Sequence, residues 1–385
     1  MSPQEKIYLD YQATTPVDPR VMNEMLPYFN ETFGNPHSSD HAWGWKAQES
    51  VERARGFIAS LVGADSDEII FTSGATEANN IAILGIGRAL HANKRRILVS
   101  AIEHKCVLNT ARSLINENCT VEFIPVDNDG TININWLEVE LKNGGVGLVS
   151  IMAVNNEIGT VQNLELLSNL VKSHGAYFHT DAAQAFPTLD VDVSISEIDL
   201  ISMSAHKMYG PKGIGALYIK RGLAKQMKPI LFGGDQEKSL RPGTLPVPLC
   251  VGMGMAASIS KELSIDERNS TQNLRDLLYQ ELLRTLPDIR LVGPQFSNRH
   301  SGNLNIIFPG IDSHQLIGLL QPSIAISTGS ACTSGLSGVS HVLQAICLDH
   351  DEAESCVRIS VGRFTTREEI YLAASMIIGA VTTAV

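Results

Sequence analysis

Residues 200–219 read LISMSAHKMYGPKGIGALYI, which is two short apolar runs joined by a connection rich in glycine. We predict strands at residues 200–204 and 216–219, because apolar and β-branched runs bounded by turn residues are typical of buried strands. The connection is too short for a crossover helix, which parallel neighbours require. At least one antiparallel neighbour is therefore expected in the sheet.

Upstream of this pair, strand-like runs alternate in most cases with segments of helical spacing. Such alternation implies a largely parallel sheet covered by helices on both faces, so the predicted fold class is α/β. The predicted strands are residues 68–71, 96–100, 121–126, 147–154 and 176–181, and the predicted helices are residues 77–92, 107–116 and 164–173.

From about residue 256 the pattern changes to that of a smaller α+β unit. Its predicted elements are a helix from residue 256 to 284, a strand at 302–308, a helix near 313–320, a strand at 357–361 and a terminal helix after residue 366. We expect a large domain at residues 16–255, and a small domain formed by residues 1–15 and 256–385.

Composition and charge exclude several classes of protein. The 30 basic and 41 acidic side chains give a net charge of −11, which argues against direct nucleic-acid binding as the main activity. The 6 cysteines include no C-x-x-C pair, so neither a disulfide framework nor a structural metal site is expected. No signal peptide or long apolar run is present, and we expect a cytoplasmic protein without membrane contact.

Three chemical groups follow predicted strand ends, where open α/β sheets bind their ligands. Residues 72–77, TSGATE, form a small-residue turn into a helix, which suits either an anion or a simple N-cap through Thr76. Asp181 closes one strand, and Lys207 follows another among small residues. Desolvation there lowers the pKa of an amine and makes it a nucleophile, although phosphate binding is the alternative. An anion cradle, a carboxylate and an amine together are what pyridoxal 5′-phosphate requires.

Longer motifs carry a family resemblance along almost the whole chain. They occupy residues 8–16, 33–36, 72–77, 155–159, 204–213, 241–246, 329–334 and 358–366. In these segments the chain resembles the NifS/IscS-like cysteine desulfurases, which are class V, fold-type I enzymes that use pyridoxal phosphate. The resemblance implies a fold-type I architecture, that cofactor, and a homodimer.

The resemblance also implies roles for single residues around the cofactor. Lys207 would carry the cofactor covalently and then transfer protons, and Asp181 would keep the ring nitrogen protonated. His104 would stack on the ring and act in acid–base steps. The other contacts would be Asn156 and Gln184 at the ring oxygen, Ala75, Thr76, Ser204 and His206 at the phosphate, and Thr244 at the phosphate of the other subunit's cofactor.

For the substrate, the resemblance implies that Arg358, with Asn35 nearby, binds the carboxylate of L-cysteine. Cys332 would attack the substrate sulfur as a thiolate, release L-alanine, and hold the sulfur as a persulfide for an acceptor protein. A buried apolar role is the alternative for Cys332. It is also the role expected of Cys250, Cys347 and Cys356.

The acceptor and the exact reaction stay open at this point. Iron–sulfur cluster assembly, tRNA or cofactor thiolation, and DNA phosphorothioation are the candidate pathways. Housekeeping relatives continue into a tail that helps dock an iron–sulfur scaffold, whereas this sequence ends at Val385. A specialised pathway, such as DNA phosphorothioation, is therefore among the candidates. The alternatives are a selenocysteine lyase, another lyase with the same cofactor, and a non-catalytic binding partner with this fold. A dinucleotide-binding module is disfavoured, since no G-x-G-x-x-G follows an early strand.

Overall fold

The computed structural model describes residues 6–328 and 339–384. The strands in these ranges are β1 Ile7–Tyr8, β2 Ile69–Thr72, β3 Arg96–Ser100, β4 Thr120–Ile124, β5 Val146–Ser150, β6 Tyr177–Asp181, β7 Leu200–Ser204, β8 Gly215–Ile219, β9 Arg290–Leu291, β10 Asn303–Ile307, β11 Ile324–Ala325, β12 Ser327–Thr328 and β13 Cys356–Ser360. The helices are α1 Pro19–Met25, α2 Pro27–Asn30, α3 Ala42–Leu61, α4 Ala75–Gly87, α5 Lys105–Ser113, α6 Ile134–Lys142, α7 Leu164–Ser173, α8 Val247–Glu262, α9 Ser264–Thr285, α10 Ser313–Leu320, α11 His341–Ala345, α12 His350–Glu354 and α13 Arg367–Ala384.

The central sheet has the strand order β2-β8-β7-β6-β5-β3-β4. The run from β7 to β4 is parallel, whereas β8 lies antiparallel to both of its neighbours, β2 and β7. The short connection between β7 and β8 therefore joins two antiparallel neighbours, as its length predicts. The predicted α/β class with a mostly parallel sheet is confirmed.

Helices cover both faces of this sheet. Along β3, Leu98 belongs to a core cluster shared with α3, α6, α7 and α8, whereas Ile97 and Val99 belong to the cluster under α4 and α5. Successive side chains of a strand point to opposite faces, so apolar residues at consecutive positions bury both. This arrangement leaves the ends of the parallel strands as the open edge of the domain.

A second, smaller unit contains an antiparallel sheet of order β12-β13-β10-β9. Its core cluster includes Leu278 of α9, Ile306 of β10, Ile359 of β13 and Ile377 of α13. The N-terminal strand β1 pairs with β11 and contributes Ile7 to the same cluster. This packing is compatible with the N-terminal segment belonging to the small unit, and the division into domains stays a prediction.

The long helix predicted over residues 256–284 is instead two helices, α8 and α9, which meet at Leu263. Cys250 and Met253 of α8 pack in the core under the central sheet, whereas α9 packs in the small unit. Helical periodicity continues across the junction, so it does not reveal where the packing partner changes. None of the helices in the described ranges combines the length and apolar composition needed to cross a bilayer.

Candidate active site

A cavity of about 570 Å³ lies at the carboxyl ends of the central parallel strands. This edge is where open α/β sheets bind ligands, and the volume is typical of a small-molecule site. The predicted site residues that line this cavity are Ala75, Thr76, His104, Asn156, Asp181, Gln184, Ser204, His206, Lys207 and Arg358. The fold thus brings together side chains that lie as far as 283 positions apart in the sequence.

The other predicted site residues are placed differently. Asn35 and Thr244 are exposed, and neither is among the described residues that line the cavity of a single chain. Thr244 is expected to act on the cofactor of the other subunit, and this role stays a prediction. Cys332 lies outside the described residues.

Lys207 occupies a short turn directly after β7 and reaches the cavity wall. Its Nζ donates hydrogen bonds to the carbonyl oxygens of Gln12 and Ala13, at 2.8 Å for Ala13. The backbone N–H of Thr15 also donates to the carbonyl of His206, at 3.0 Å, and joins the N-terminal segment to the lysine turn. The amine is therefore held where the N-terminal segment crosses the end of β7.

Asp181 ends β6 and is 4% exposed on the cavity wall. Its Oδ2 accepts a hydrogen bond from Asn79 Nδ2 at 2.7 Å, and its Oδ1 accepts one from the Ala183 N–H at 2.9 Å. These two bonds fix the plane of the carboxylate while its edge remains at the cavity. Asn79 was not predicted, yet it lies four positions after Ala75 on the face of α4 that points to the site.

The N-terminus of α4 provides an anion cradle. Gly74 precedes the helix with φ of 154°, a conformation that favours glycine, and no described side chain caps the first turn. A Cβ built on Gly74 would meet nothing within 4 Å, so the space in front of the helix is open. The first N–H groups of α4 are thus available to an anion, which the helix dipole favours.

Two histidines line the same cavity with different surroundings. Burial, and then the nearby charges of Lys207 and Lys212, lower the pKa of His206 to about 4, so this ring is neutral near pH 7. His104 caps α5, and its Nδ1 accepts a hydrogen bond from the backbone N–H of Cys106 at 3.2 Å. Because an N–H group only donates, the proton of a neutral His104 ring lies on Nε2.

Arg358 is 2% exposed at the cavity, on strand β13 of the small unit. Its Nη2 contacts Asp10 Oδ1 at 2.8 Å, and its Nη1 donates to the carbonyl oxygen of Asn156 at 2.8 Å. Arg358 Nε is buried without a partner in the described part of the chain. A guanidinium with an unused donor on a cavity wall is suited to bind an anionic group.

Two buried carboxyl groups, Glu103 and Glu157, also line the cavity. Burial, followed by repulsion from Asp181, raises the pKa of Glu103 well above its ordinary value. Burial also raises the pKa of Glu157 to about 7, although the Ser340 hydroxyl, which donates to Glu157 Oε2 at 2.5 Å, opposes that shift. His341 Nε2 lies 2.9 Å from the Glu103 carbonyl, so both glutamates hold the start of α11.

The raised pKa of Glu157 predicts a pH-dependent stability. The folded state binds the proton more tightly than the unfolded state, so the free energy of unfolding falls as pH rises from 4.5 towards 7. Relative to Glu157→Gln, the wild type should lose roughly 3 kcal/mol across this interval. Chemical denaturation at a series of pH values measures the difference.

Glu165→Gln, at an exposed position of α7, is the matched control and should follow the wild-type curve. If Glu157→Gln and the wild type change in parallel with pH, Glu157 does not titrate in this range.

Comparison with known proteins places the chain in a family. Residues 7–372 match the class V aminotransferase family. Cysteine desulfurase IscS of Rickettsia rickettsii (strain Iowa) is 44% identical over 371 residues, which cover 96% of this chain and 90% of that relative. The solved structure of a NifS-like protein is 34% identical, covers 98% of this chain and 100% of its own, and superposes with a TM-score of 0.91.

A second solved structure, SspA in complex with cysteine, is 36% identical with a TM-score of 0.82. It covers 94% of this chain and 100% of its own. Both solved structures and the curated relative thus match over nearly the full length. The residues that match the family, 7–372, include all that line the cavity. The chain therefore belongs to the class V aminotransferase family of pyridoxal-phosphate enzymes and, within that family, to the cysteine desulfurases.

Proposed function

We propose that this enzyme converts L-cysteine to L-alanine and passes the sulfur, through a persulfide on Cys332, to an acceptor protein. The observation that carries the proposal is the shared cavity of Lys207, Asp181 and the α4 N-terminus, with Arg358 on its wall. These groups match an amine, a carboxylate, a phosphate cradle and a substrate-binding cation.

The described residues fit pyridoxal phosphate as the resident cofactor. The uncapped start of α4 would take its phosphate, Asp181 its ring nitrogen and Lys207 its aldehyde carbon. When bound, the cofactor supplies an electron sink for bond cleavage in an amino acid. His104, whose neutral ring carries its proton on Nε2, is proposed to lie against the ring.

The proposed chemistry divides among this chain's own residues. Arg358 binds the substrate carboxylate and orients the amino acid. Lys207 removes and returns a proton at the substrate carbon, since an amine among small residues can act as a base. The Cys332 thiolate attacks the substrate sulfur, so that one C–S bond breaks and one S–S bond forms on the enzyme. Protonation of the remaining three-carbon unit yields alanine.

The test of the proposed function is product formation. Purified enzyme incubated with L-cysteine and a reductant should release alanine and sulfide in equal amounts. A protein that acts on selenocysteine but forms no alanine from cysteine would instead be a selenocysteine lyase. A protein that stays colourless with added pyridoxal phosphate would be a non-catalytic partner.

We further propose that the enzyme works as a homodimer. Large aromatic side chains are exposed in one chain: Phe33 and Trp43 stack with ring centroids 5.5 Å apart, and Phe232 is 87% exposed. Exposed apolar groups of this size are typical of interfaces. Light scattering after gel filtration should give about twice the chain mass of 41.8 kDa.

The acceptor is proposed to be a protein, and the compartment the cytoplasm. A net charge of −11 disfavours direct transfer to a nucleic acid. All cysteines that the structure describes are unpaired, which agrees with a reducing compartment. Cluster assembly, thiolation and DNA phosphorothioation remain the candidate pathways, and co-purification of the tagged enzyme with its acceptor would separate them.

Arg358→Ala should raise the KM for L-cysteine with a smaller effect on kcat. Removal of one partner from a buried charged pair typically costs about 2–5 kcal/mol, which corresponds to a KM increase of tens-fold or more. Steady-state kinetics measures it. Arg290→Ala, in the same sheet but paired at the surface with Glu352, is the control and should keep the wild-type KM. An unchanged KM in Arg358→Ala would place the carboxylate elsewhere.

A further inference from the structure

Gln12 lies on the cavity wall with 2% of its surface exposed. Its hydrogen-bonded neighbours show which atom of its side-chain amide is the oxygen and which is the nitrogen. Arg299 Nη1 donates to Asn303 Oδ1 at 2.6 Å. Because a guanidinium only donates, Oδ1 is the acceptor of Asn303 and Nδ2 is its donor. Asn303 Nδ2 in turn donates to Gln12 Oε1 at 2.5 Å. The remaining amide atom of Gln12, Nε2, is therefore a hydrogen-bond donor.

Gln12 Nε2 is buried and has no hydrogen-bond partner in the described ranges of the chain. Arg358 Nε on the cavity wall likewise lacks a partner in these ranges, and so does Glu103 Oε2. Buried polar groups in folded proteins nearly always have a partner. Two such donors on the wall of one cavity indicate a ligand that supplies acceptor atoms.

The register of the small sheet shows that Gln12 and Arg358 lie near the same part of β13. Asn303 pairs with Ser360 across the strands, and Asn305 pairs with Arg358. Gln12 contacts the first of these pairs, through Asn303 and through its own N–H, which donates to Ser360 Oγ at 3.0 Å. Residues two apart on a strand share a face and are separated by about 7 Å. Gln12 thus contacts Ser360, which lies two positions after Arg358 on the same face of β13.

The charge of Arg358 and the presence of two separate donors indicate which acceptor group Gln12 and Arg358 would bind. The guanidinium of Arg358 already contacts the Asp10 carboxylate at 2.8 Å, which offsets part of its positive charge. A neutral amide donor beside it strengthens the binding of an anion with two oxygens, because each oxygen can accept a separate hydrogen bond. The carboxylate of an amino acid has this geometry.

Resting on the proposed function, we propose that Gln12 is a substrate-binding residue whose Nε2 donates to the substrate carboxylate beside Arg358. The consequence is selectivity for amino acids with a free carboxylate. Gln12→Glu keeps an oxygen for Asn303 but replaces the donor with a negatively charged acceptor. Gln12→Met keeps the length of the side chain and removes both amide atoms.

The test compares the binding of two probes that lack an amine and cannot be turned over. The holoenzyme is titrated by calorimetry with 3-mercaptopropanoate and with the neutral 3-mercaptopropanamide. Wild type should prefer the carboxylate. Gln12→Met should reduce this preference about tenfold to hundredfold, and Gln12→Glu should abolish it, because each variant loses the donor that binds the carboxylate.

Gln162→Met is the matched control, since Gln162 is also buried but bonds through both amide atoms outside the cavity. It should keep the wild-type preference. An unchanged preference in both Gln12 variants overturns the proposal. So does a loss of cofactor affinity without a change in preference, which would assign the donor to the cofactor. If the wild type prefers the carboxylate probe but forms no alanine from cysteine, the proposed function is contradicted. The role of Gln12 in carboxylate binding would still stand.

Discussion

Replacement of Lys207 with alanine is expected to reduce alanine formation from L-cysteine by at least about 10⁴-fold. Lys207 is proposed to act both as the covalent anchor of the cofactor and as the base that moves the substrate proton. A positioned acid–base group alone contributes about 10²–10⁴-fold to a rate, and the loss of the anchor adds to that effect. Single-turnover assays with product quantified by mass spectrometry measure the loss.

Lys212→Ala is the matched control for this prediction. Lys212 lines the same cavity and follows Lys207 by five residues, but it is exposed and has no proposed covalent role. The variant should retain the bound cofactor and a measurable rate. If Lys212→Ala were inactive and Lys207→Ala active, the amine that carries the cofactor would be the second lysine, and the assignment of Lys207 would be wrong.

Cys332→Ser is expected to bind cofactor and L-cysteine normally yet to form no persulfide. A serine hydroxyl is not a thiolate at neutral pH, so it cannot attack the substrate sulfur or hold it. The rate of sulfide release should fall by at least about 10²-fold. Mass spectrometry of the intact protein after exposure to cysteine detects the added sulfur in the wild type and its absence in the variant.

Cys106→Ser is the control that the structure provides. The Cys106 thiol lines the cavity, with Sγ 3.0 Å from His104 Nδ1, and is the described thiol placed nearest to the proposed chemistry. Its serine variant should still carry sulfur on Cys332. Sulfur found on the Cys106 peptide of Cys332→Ser would contradict the proposed route.

Much of the fold could be predicted because its strands are short, apolar and separated by turns. The antiparallel placement of β8 followed from a connection too short for a crossover. The junction between α8 and α9 could not be predicted, because both helices are apolar on one face and the change of packing partner at Leu263 leaves no local signal.

Some of the cavity residues could be predicted from the sequence and others could not. Lys207, Asp181 and the α4 turn are recognisable, because each lies at or just after the end of a strand in a motif with its own chemistry. Gln12 and Asn79 were missed, since their roles depend on partners that only the fold brings near, such as Asn303 for Gln12. The raised pKa of Glu157 likewise arises from burial, which local sequence does not show.

The most direct test of the account is to locate the covalent attachment of the cofactor. The holoenzyme is reduced with borohydride, digested and mapped by tandem mass spectrometry. One added pyridoxyl phosphate is expected, on the peptide that contains Lys207. Attachment to another lysine, such as Lys105 or Lys212, or an unmodified chain in yellow, cofactor-saturated protein, would contradict it.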